Sequence, residues 1–275
     1  MPELPEAENI ARALEKAICG RVIRNVEVFS PKLRTSLLPL GGAALPGLSF
    51  TGVRRRGRYV LADLSDGRAL LFHFGMSGVV RVESGTVPKR KHEHVFIHLD
   101  DGRILRFEDP RRFGLLECVT LGDDGLPQCL EQLGAEPLED KFNASWLHDA
   151  AQRHHKPVKL LLMDNAVVTG IGNIYANEAL FAAGVNPLTP GCDLDLDQCR
   201  RIADCVKAIL KRAIAAGGST ISDFRNVDGS QGRFARELQI YGKKDQPCPI
   251  CGTPIQCVTL GGRSTFYCPK CQERR

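Results

Sequence analysis

Apolar residues recur at helical spacing near the start of the chain. Ala7, Ile10, Ala11, Leu14, Ala17 and Ile18 line one face of a helix predicted over 4–19, and Gly20 is placed to end it. The period then shortens. Val22-Ile23, Val26 and Val28 open a series of short apolar runs, continued at Tyr59–Leu64, Ala69–Phe74, Val79–Val82, Val95–Leu99 and Ile104–Phe107. Turn signals such as Ser65-Asp66-Gly67 and Asp100-Asp101-Gly102 separate them. Short strands on tight turns predict an antiparallel sandwich or barrel, and this regime lasts to about residue 118. Residues 120–145 are rich in Gly, Pro and acidic side chains, which places a boundary near 135. From Trp146 the pattern is helical, with helices predicted at about 156–163, 174–183 and 196–216. In the last of these Asp195 and Gln198 form a capping box. Ile202, Cys205, Val206, Ile209 and Ala213 share its face, and Gly217-Gly218 close it.

The expected class is therefore α+β, with an N-terminal antiparallel β-sandwich, a helical region and a small C-terminal module. The expected boundaries are 1–135, 136–238 and 239–275. A length of 275 residues suits about two domains of ordinary size. No apolar run approaches the roughly 18 residues of a membrane span. The opening MPELPEAENI lacks the basic start and apolar stretch of a signal peptide, so a cytosolic protein with no membrane partner is expected. Net charge is +5, a mild bias compatible with a polyanionic partner. Basic residues cluster at Arg54-Arg55-Arg56-Gly57-Arg58, Lys89-Arg90-Lys91-His92, Arg111-Arg112 and Lys243-Lys244, as surface loops or as a binding face.

The eleven cysteines are an odd number in a cytosolic setting, which argues against a disulfide framework. Cys248-Pro-Ile-Cys251 and Cys268-Pro-Lys-Cys271 stand apart, with the spacing of a four-thiolate zinc site. Four protein ligands leave no open position, so one structural Zn²⁺ is expected. The intervening Cys257–Tyr267 reads as a β-hairpin turning at Gly261-Gly262. Its Arg263 suits phosphate contact, and protein interaction is the rival use. The other seven cysteines are expected as small buried hydrophobes, and His73 and His98 as satisfied core residues.

The first residues carry a different chemistry. With Met1 removed, Pro2 becomes a terminal secondary amine, and an α-amine has a pKa of about 7.7–8. Part of it is then unprotonated and nucleophilic at neutral pH. On a carbonyl-like carbon such an amine forms a charged iminium that promotes elimination. Glu3 lies beside it and Glu6 one helical turn on, either of which could protonate a leaving group. Proline and glutamate are also ordinary residues for a helix start.

Six segments occur in order: Pro2-Glu3-Leu4-Pro5-Glu6, Arg55-Arg56-Gly57-Arg58-Tyr59, His73-Phe74-Gly75-Met76-Ser77-Gly78, Asp109-Pro110-Arg111-Arg112-Phe113-Gly114, Gly170-Ile171-Gly172-Asn173-Ile174-Tyr175 and the cysteine quartet. Together they closely resemble the bacterial formamidopyrimidine-DNA glycosylases, the 8-oxoguanine repair enzymes, over essentially the whole chain. The resemblance implies a helix-two-turn-helix domain with a zinc-binding β-hairpin following the sandwich. It implies binding of double-stranded DNA, flipping of an oxidised purine and excision through a Schiff base on the terminal proline. Elimination (β, then δ) of the strand follows. Pro2 matches the nucleophile and Glu3 the acid. Met76, Arg111 and Phe113 match the residues that fill the void and address the orphaned cytosine. His92, Lys159, Asn173 and Arg263 match DNA contacts, and Arg263 also matches the donor for δ-elimination. The segment Gly217–Arg233, with Ser219, Thr220 and Asn226–Gly229, matches a loop closing over the flipped base.

Two positions depart from the family pattern. Arg58 stands where the family usually has a Lys that contacts phosphate and is assigned a proton-transfer role in β-elimination. Arg keeps the charge but, with a pKa above about 12, is a poor proton donor. His154 stands where a Lys is frequent. The alternatives are an endonuclease VIII-like glycosylase for oxidised pyrimidines and a non-catalytic zinc protein that binds damaged DNA. The first usually has Gly at the position of Leu4, and the second has no need of Pro2 or Glu3. A monomer is expected, because one asymmetric lesion needs no two-fold partner.

Overall fold

A computed structural model describes residues 2–219 and 232–273. The chain forms two compact units, Met1–Glu131 with Ala216–Arg233, and Gln132–Ala215 with Phe234–Arg275.

The first unit opens with α1 (Leu4–Ile18) and β1 (Ile23–Val28), followed by a single turn, α2 (Leu38–Gly41). Then come β2 (Phe50–Arg56), β3 (Tyr59–Leu64), β4 (Arg68–His73), β5 (Val79–Ser84), β6 (Glu93–Leu99), β7 (Arg103–Glu108) and β8 (Leu115–Thr120). Two four-stranded antiparallel sheets result, ordered β1-β6-β7-β5 and β2-β3-β4-β8. Their inner faces share one core that includes Val60, Leu70 and Phe72 of one sheet and Val95, Ile97, Leu105 and Phe107 of the other. Helix α1 packs on β2 and β3 through Ala7, Ile10, Ala11, Leu14 and Ile18. Burial of each large aliphatic there contributes about 1.5–3 kcal/mol.

Strand β2 escaped the apolar pattern because its second half is Arg54-Arg55-Arg56. Two of these arginines are structural. Arg54 pairs with Asp63 on β3 at 2.8 Å, and Arg55, only 9% exposed, pairs with Glu8 of α1 at 2.9 Å. The basic cluster therefore ties helix to sheet, with Arg58 left at the turn.

In the second unit α3 (Ala144–Ala151), α4 (Val158–Leu162), α5 (Asn173–Ala183) and α6 (Leu196–Ala215) precede a hairpin of β9 (Gln256–Leu260) and β10 (Arg263–Tyr267). The turn residues Gly261 and Gly262 have φ of +56° and +71°, the left-handed pair that matches the twist of a two-residue hairpin. Helix α6 packs on α3 and α5 with Cys199, Ile202, Val206, Leu210 and Ala213 buried. The box at its start is reciprocal: Gln198 N–H donates to Asp195 Oδ1 at 2.7 Å, and Asp195 N–H to Gln198 Oε1 at 3.0 Å.

Some expectations need correction. Cys19 and Cys129 are exposed and Cys205 is half-buried, so of the seven scattered cysteines only Cys199 is a fully buried filler. His98 points to the half-exposed side of β6, where its ring meets Glu27. After α6, Ser219 is held by Glu6 of α1, and Ala216–Arg233 group with the first unit. Among the described residues no helix is long and apolar enough to cross a membrane.

Candidate functional site

Within the first unit the predicted residues fall into two groups. One is the start of α1. Glu3 is the N-cap residue, and Glu3 and Glu6 close a capping box in which Glu6 Oε2 accepts Glu3 N–H at 2.9 Å. The other oxygen, Glu6 Oε1, accepts both the N–H (2.7 Å) and the hydroxyl (3.0 Å) of Ser219. Both oxygens of Glu6 are thus engaged as acceptors. Glu6 fixes the Pro2-Glu3 segment, and in the reciprocal half of the box the Glu3 side chain accepts the Glu6 N–H, so both carboxyls are held at the start of α1. Pro2, Glu3 and Glu6 are all buried.

Arg58 is 8% exposed, at the tight turn between β2 and β3. Nearby, His73 is buried against Tyr59, with ring centroids 4.8 Å apart. Burial, reinforced by the charges of Arg34 and Arg58, pushes its pKa from the ordinary 6.5 to about 4. Gly75 N–H donates to its Nδ1 at 3.2 Å, as a neutral ring requires. His73 is a satisfied interior residue, and its low pKa reports first its burial and then the charges of Arg34 and Arg58.

The second group occupies two adjoining loops, 75–78 and 109–114. Met76 and Phe113 are 40% and 50% exposed, and the Arg111 guanidinium lies 5.1 Å from the Phe113 ring centroid. Met76, Arg111 and Phe113 are thus presented outward. Beneath them the backbones are pressed together: a Cβ on Gly75, at φ +53°, would lie 2.5 Å from the Phe113 carbonyl carbon. His92 is half-buried, and its carbonyl accepts Asp109 N–H at 3.0 Å.

In the second unit Asn173 opens α5, directly after the Gly170–Gly172 turn. Its Nδ2 donates to the Ser264 carbonyl at 3.1 Å. Lys159 reaches the same strand: Nζ donates to the Ser264 carbonyl at 3.0 Å and to Thr265 Oγ1 at 2.7 Å. Lys159 has no exposed surface. As placed here its ammonium addresses β10. Arg263, at the start of β10, is exposed. Two further residues went unnoticed in the sequence. Asn177 Oδ1 accepts Phe266 N–H at 2.7 Å. The buried Glu178 carboxylate accepts three consecutive N–H groups, from Gln239, Ile240 and Tyr241, at 2.8–3.0 Å. A polar pair one turn into a helix, as in Asn177-Glu178, was the available signal.

The four thiols of Cys248, Cys251, Cys268 and Cys271 lie within 4.8 Å of one another. Cys248–Cys271 and Cys251–Cys268 sulfurs are 3.9 and 3.5 Å apart. Tetrahedral bonds of about 2.3 Å place sulfurs about 3.8 Å apart, so the set fits a Zn²⁺ ion and is too open for a disulfide. Cys248 and Cys268 are buried, and a small core of Phe181, Ile240, Ile255 and Phe266 surrounds them. The segment 220–231, with Thr220 and Asn226–Gly229 of the expected closing loop, lies outside the described residues.

Comparison with known proteins is consistent along the chain. Residues 1–116 match the formamidopyrimidine-DNA glycosylase N-terminal domain, 133–225 the formamidopyrimidine-DNA glycosylase H2TH domain, and 245–274 the zinc finger found in FPG and IleRS. A formamidopyrimidine-DNA glycosylase of Laribacter hongkongensis is 44% identical, with 99% of this chain and 100% of the relative covered. A point mutant of the Lactococcus lactis protein, solved in complex with DNA containing Fapy-dG, superposes with a TM-score of 0.90 at 33% identity, covering 99% of this chain and all of that one. A protein named MutM, solved with DNA containing carbocyclic 8-oxo-G, gives a TM-score of 0.89 at 34% identity, with 99% and 100% covered. The quartet is accordingly the site of one structural zinc. With sandwich, helical domain and zinc hairpin all matched over nearly the full length, the chain belongs to the formamidopyrimidine-DNA glycosylase family, DNA glycosylases of base excision repair.

Proposed function

We propose that this chain binds double-stranded DNA as a monomer and excises oxidised purines, 8-oxoguanine and formamidopyrimidines, by covalent catalysis from Pro2. In this reading Met1 is removed, and the freed secondary amine attacks C1′ of the flipped nucleotide as the glycosidic bond breaks. Glu3 supplies a proton to the departing base or the ring oxygen. Loss of the base leaves an aminal at C1′. Cleavage of the C1′–O4′ bond, with the proton going to O4′, opens the ring to the iminium, which acidifies the C2′ proton, and loss of the 3′- and then the 5′-phosphate cuts the strand. Arg263 is the donor for the second elimination. Met76 and Phe113 replace lost stacking, and the Arg111 fork pairs with acceptors on the orphaned cytosine. His92, Asn173 and Arg263 contact phosphates, and Lys159 supports that grip from behind β10. Residues 1–135 carry the chemistry, and 136–238 with 239–275 carry most of the hold on the duplex.

The observation that carries this reading is the buried, doubly anchored start of α1. Glu6 fixes Glu3 and Ser219 together, so Pro2 and its neighbouring carboxyl are held in one place. The positive end of the α1 dipole lies at this segment and disfavours added positive charge there.

Borohydride trapping on a duplex with 8-oxoguanine opposite cytosine tests it. The mature protein should form a covalent adduct, Pro2→Gly, which keeps a terminal amine but only a primary one, should form it more slowly, and protein with Met1 retained should form none through Pro2. Absence of both adduct and free base sinks the enzyme reading, and an adduct only with oxidised pyrimidines favours endonuclease VIII-like specificity. In the same assay Arg58→Lys should cleave pre-formed abasic sites faster while leaving base release unchanged.

A further inference from the structure

The proposed function assigns work to Met76, Arg111 and Phe113 and leaves unexplained what aims them. Exposed side chains on two separate loops must be ordered before they can enter a duplex as one wedge, and ordering on contact would cost affinity. Directly beneath them lies a carboxylate with no exposed surface, Asp109.

Every polar atom of Asp109 is used, and its bonds end on these two loops, on His92 just before β6 and on His94 within β6. Oδ1 accepts the Ser77 hydroxyl at 2.5 Å and Arg111 N–H at 3.3 Å. Oδ2 accepts Gly114 N–H at 2.7 Å. The Ser77 hydroxyl oxygen in turn accepts Arg111 N–H at 3.1 Å, so serine, aspartate and the Arg111 amide close a ring. The Asp109 carbonyl accepts His94 Nε2–H at 2.9 Å and Arg112 N–H at 3.3 Å, and Asp109 N–H donates to the His92 carbonyl at 3.0 Å. Arg112 has φ +59°, a left-handed conformation that a non-glycine residue holds only when its surroundings impose it. That kink puts Arg111 and Phe113 on the outer side of the turn.

We infer that Asp109, acting through Ser77, is the positioning residue that locks the Met76 loop to the Arg111–Phe113 loop, and so sets how strictly the enzyme reads the base opposite the lesion. Neither residue touches DNA in this scheme. Their charge-assisted bonds hold three exposed side chains in one arrangement before the duplex arrives. Loosening the ring lets Arg111 shift off the cytosine edge, where a hydrogen-bond register fixes specificity. Met76 and Phe113 fill the void less strictly and keep much of their effect. Discrimination therefore falls further than excision itself. This inference rests on the wedge assignment above.

The test compares kcat/KM for 8-oxoguanine opposite cytosine and opposite adenine, using the zinc-loaded full-length protein. Ser77→Ala and Asp109→Asn should each lower the cytosine-over-adenine ratio about fivefold or more, as loss of one charge-assisted bond implies. A fluorescent cytosine analogue opposite the lesion should show a smaller amplitude on binding. Ser77→Ala keeps the test decisive if Asp109→Asn does not fold. Equal losses on both duplexes, with the ratio and the fluorescence unchanged, would mean that the ring is merely structural and would overturn the proposal. Met76→Ala, Arg111→Ala and Phe113→Ala run alongside. If they move the ratio and the ring variants do not, the positioning role alone fails. If none of the five moves it, the wedge assignment fails as well.

Discussion

The loop pair around Asp109 and the zinc hairpin 256–267 both present exposed side chains on short turns, but they are held by different forces. The loops are braced from inside by one buried carboxylate, a serine hydroxyl and backbone contact at Gly75. The hairpin has a thin core of six buried residues, two of them zinc ligands. It is fastened by the metal and by polar side chains reaching across from α4 and α5. The sandwich owns a deep apolar interior, so a polar brace on its rim is a local matter. The hairpin has little apolar area to bury, and an ion together with Lys159, Asn173 and Asn177 must do what a core does elsewhere. Rigidity at the two places should therefore fail under different insults.

Removing zinc is the strongest way to separate them. Structural zinc is worth about 10–16 kcal/mol to small metal-organised modules. A strong chelator, or Cys268→Ser, should abolish hydrogen-exchange protection across 256–267 and DNA binding with it. Amides of β3, β4 and β7 should remain protected. Loss of the sandwich amides in the same step would show that the two regions are not independently held.

Acid should act in the opposite sense. His73 is neutral in the folded protein down to about pH 4, whereas in the unfolded chain it takes up a proton near 6.5. The stability tied to its burial is fully present above 6.5 and is lost as pH falls toward 4, by about 3 kcal/mol in total. Urea midpoints of the sandwich measured between pH 7 and 5 should fall accordingly, and His73→Gln should flatten that slope. A slope unchanged by the substitution would remove His73 as its source. Below that window the ion-paired carboxylates Glu8 and Glu83, held low by arginines, add their own losses.

The smallest effect sharpens the hairpin side. Lys159→Met replaces a buried ammonium with an apolar chain of similar length, and Asn173 still satisfies the Ser264 carbonyl. A destabilisation of about 1–2 kcal/mol is expected at β10, with the salt dependence of DNA binding unchanged. A fall of about one in that slope would instead return Lys159 to direct phosphate contact.

Much of this was legible in the residues. The period of 3.6 over 4–18 and the box at Asp195 and Gln198 placed α1 and α6 to within a residue or two. The cysteine spacing and Gly261-Gly262 gave the hairpin. What stayed hidden depended on partners distant in sequence. Strand β2 looked like a charge run because Asp63 and Glu8 neutralise its arginines only after folding. Asp109 and Ser77 stood in plain view within their motifs, but their bond spans 32 positions, and no local pattern announces it. The burial of Lys159 was hidden for the same reason, since its acceptors lie more than 100 residues on.

The bond between Glu6 and Ser219 has a consequence for biosynthesis. The first compact unit is interrupted by residues 132–215 and resumes only at Ala216. A ribosome adding about 5–20 residues per second takes on the order of ten seconds to cross that insertion. Throughout it the nascent sandwich lacks the serine that its sixth residue is built to grip. The start of α1 is thus completed only after the last long helix has been translated. A fragment ending before 216 would carry both Pro2 and Glu3 on an unfinished scaffold.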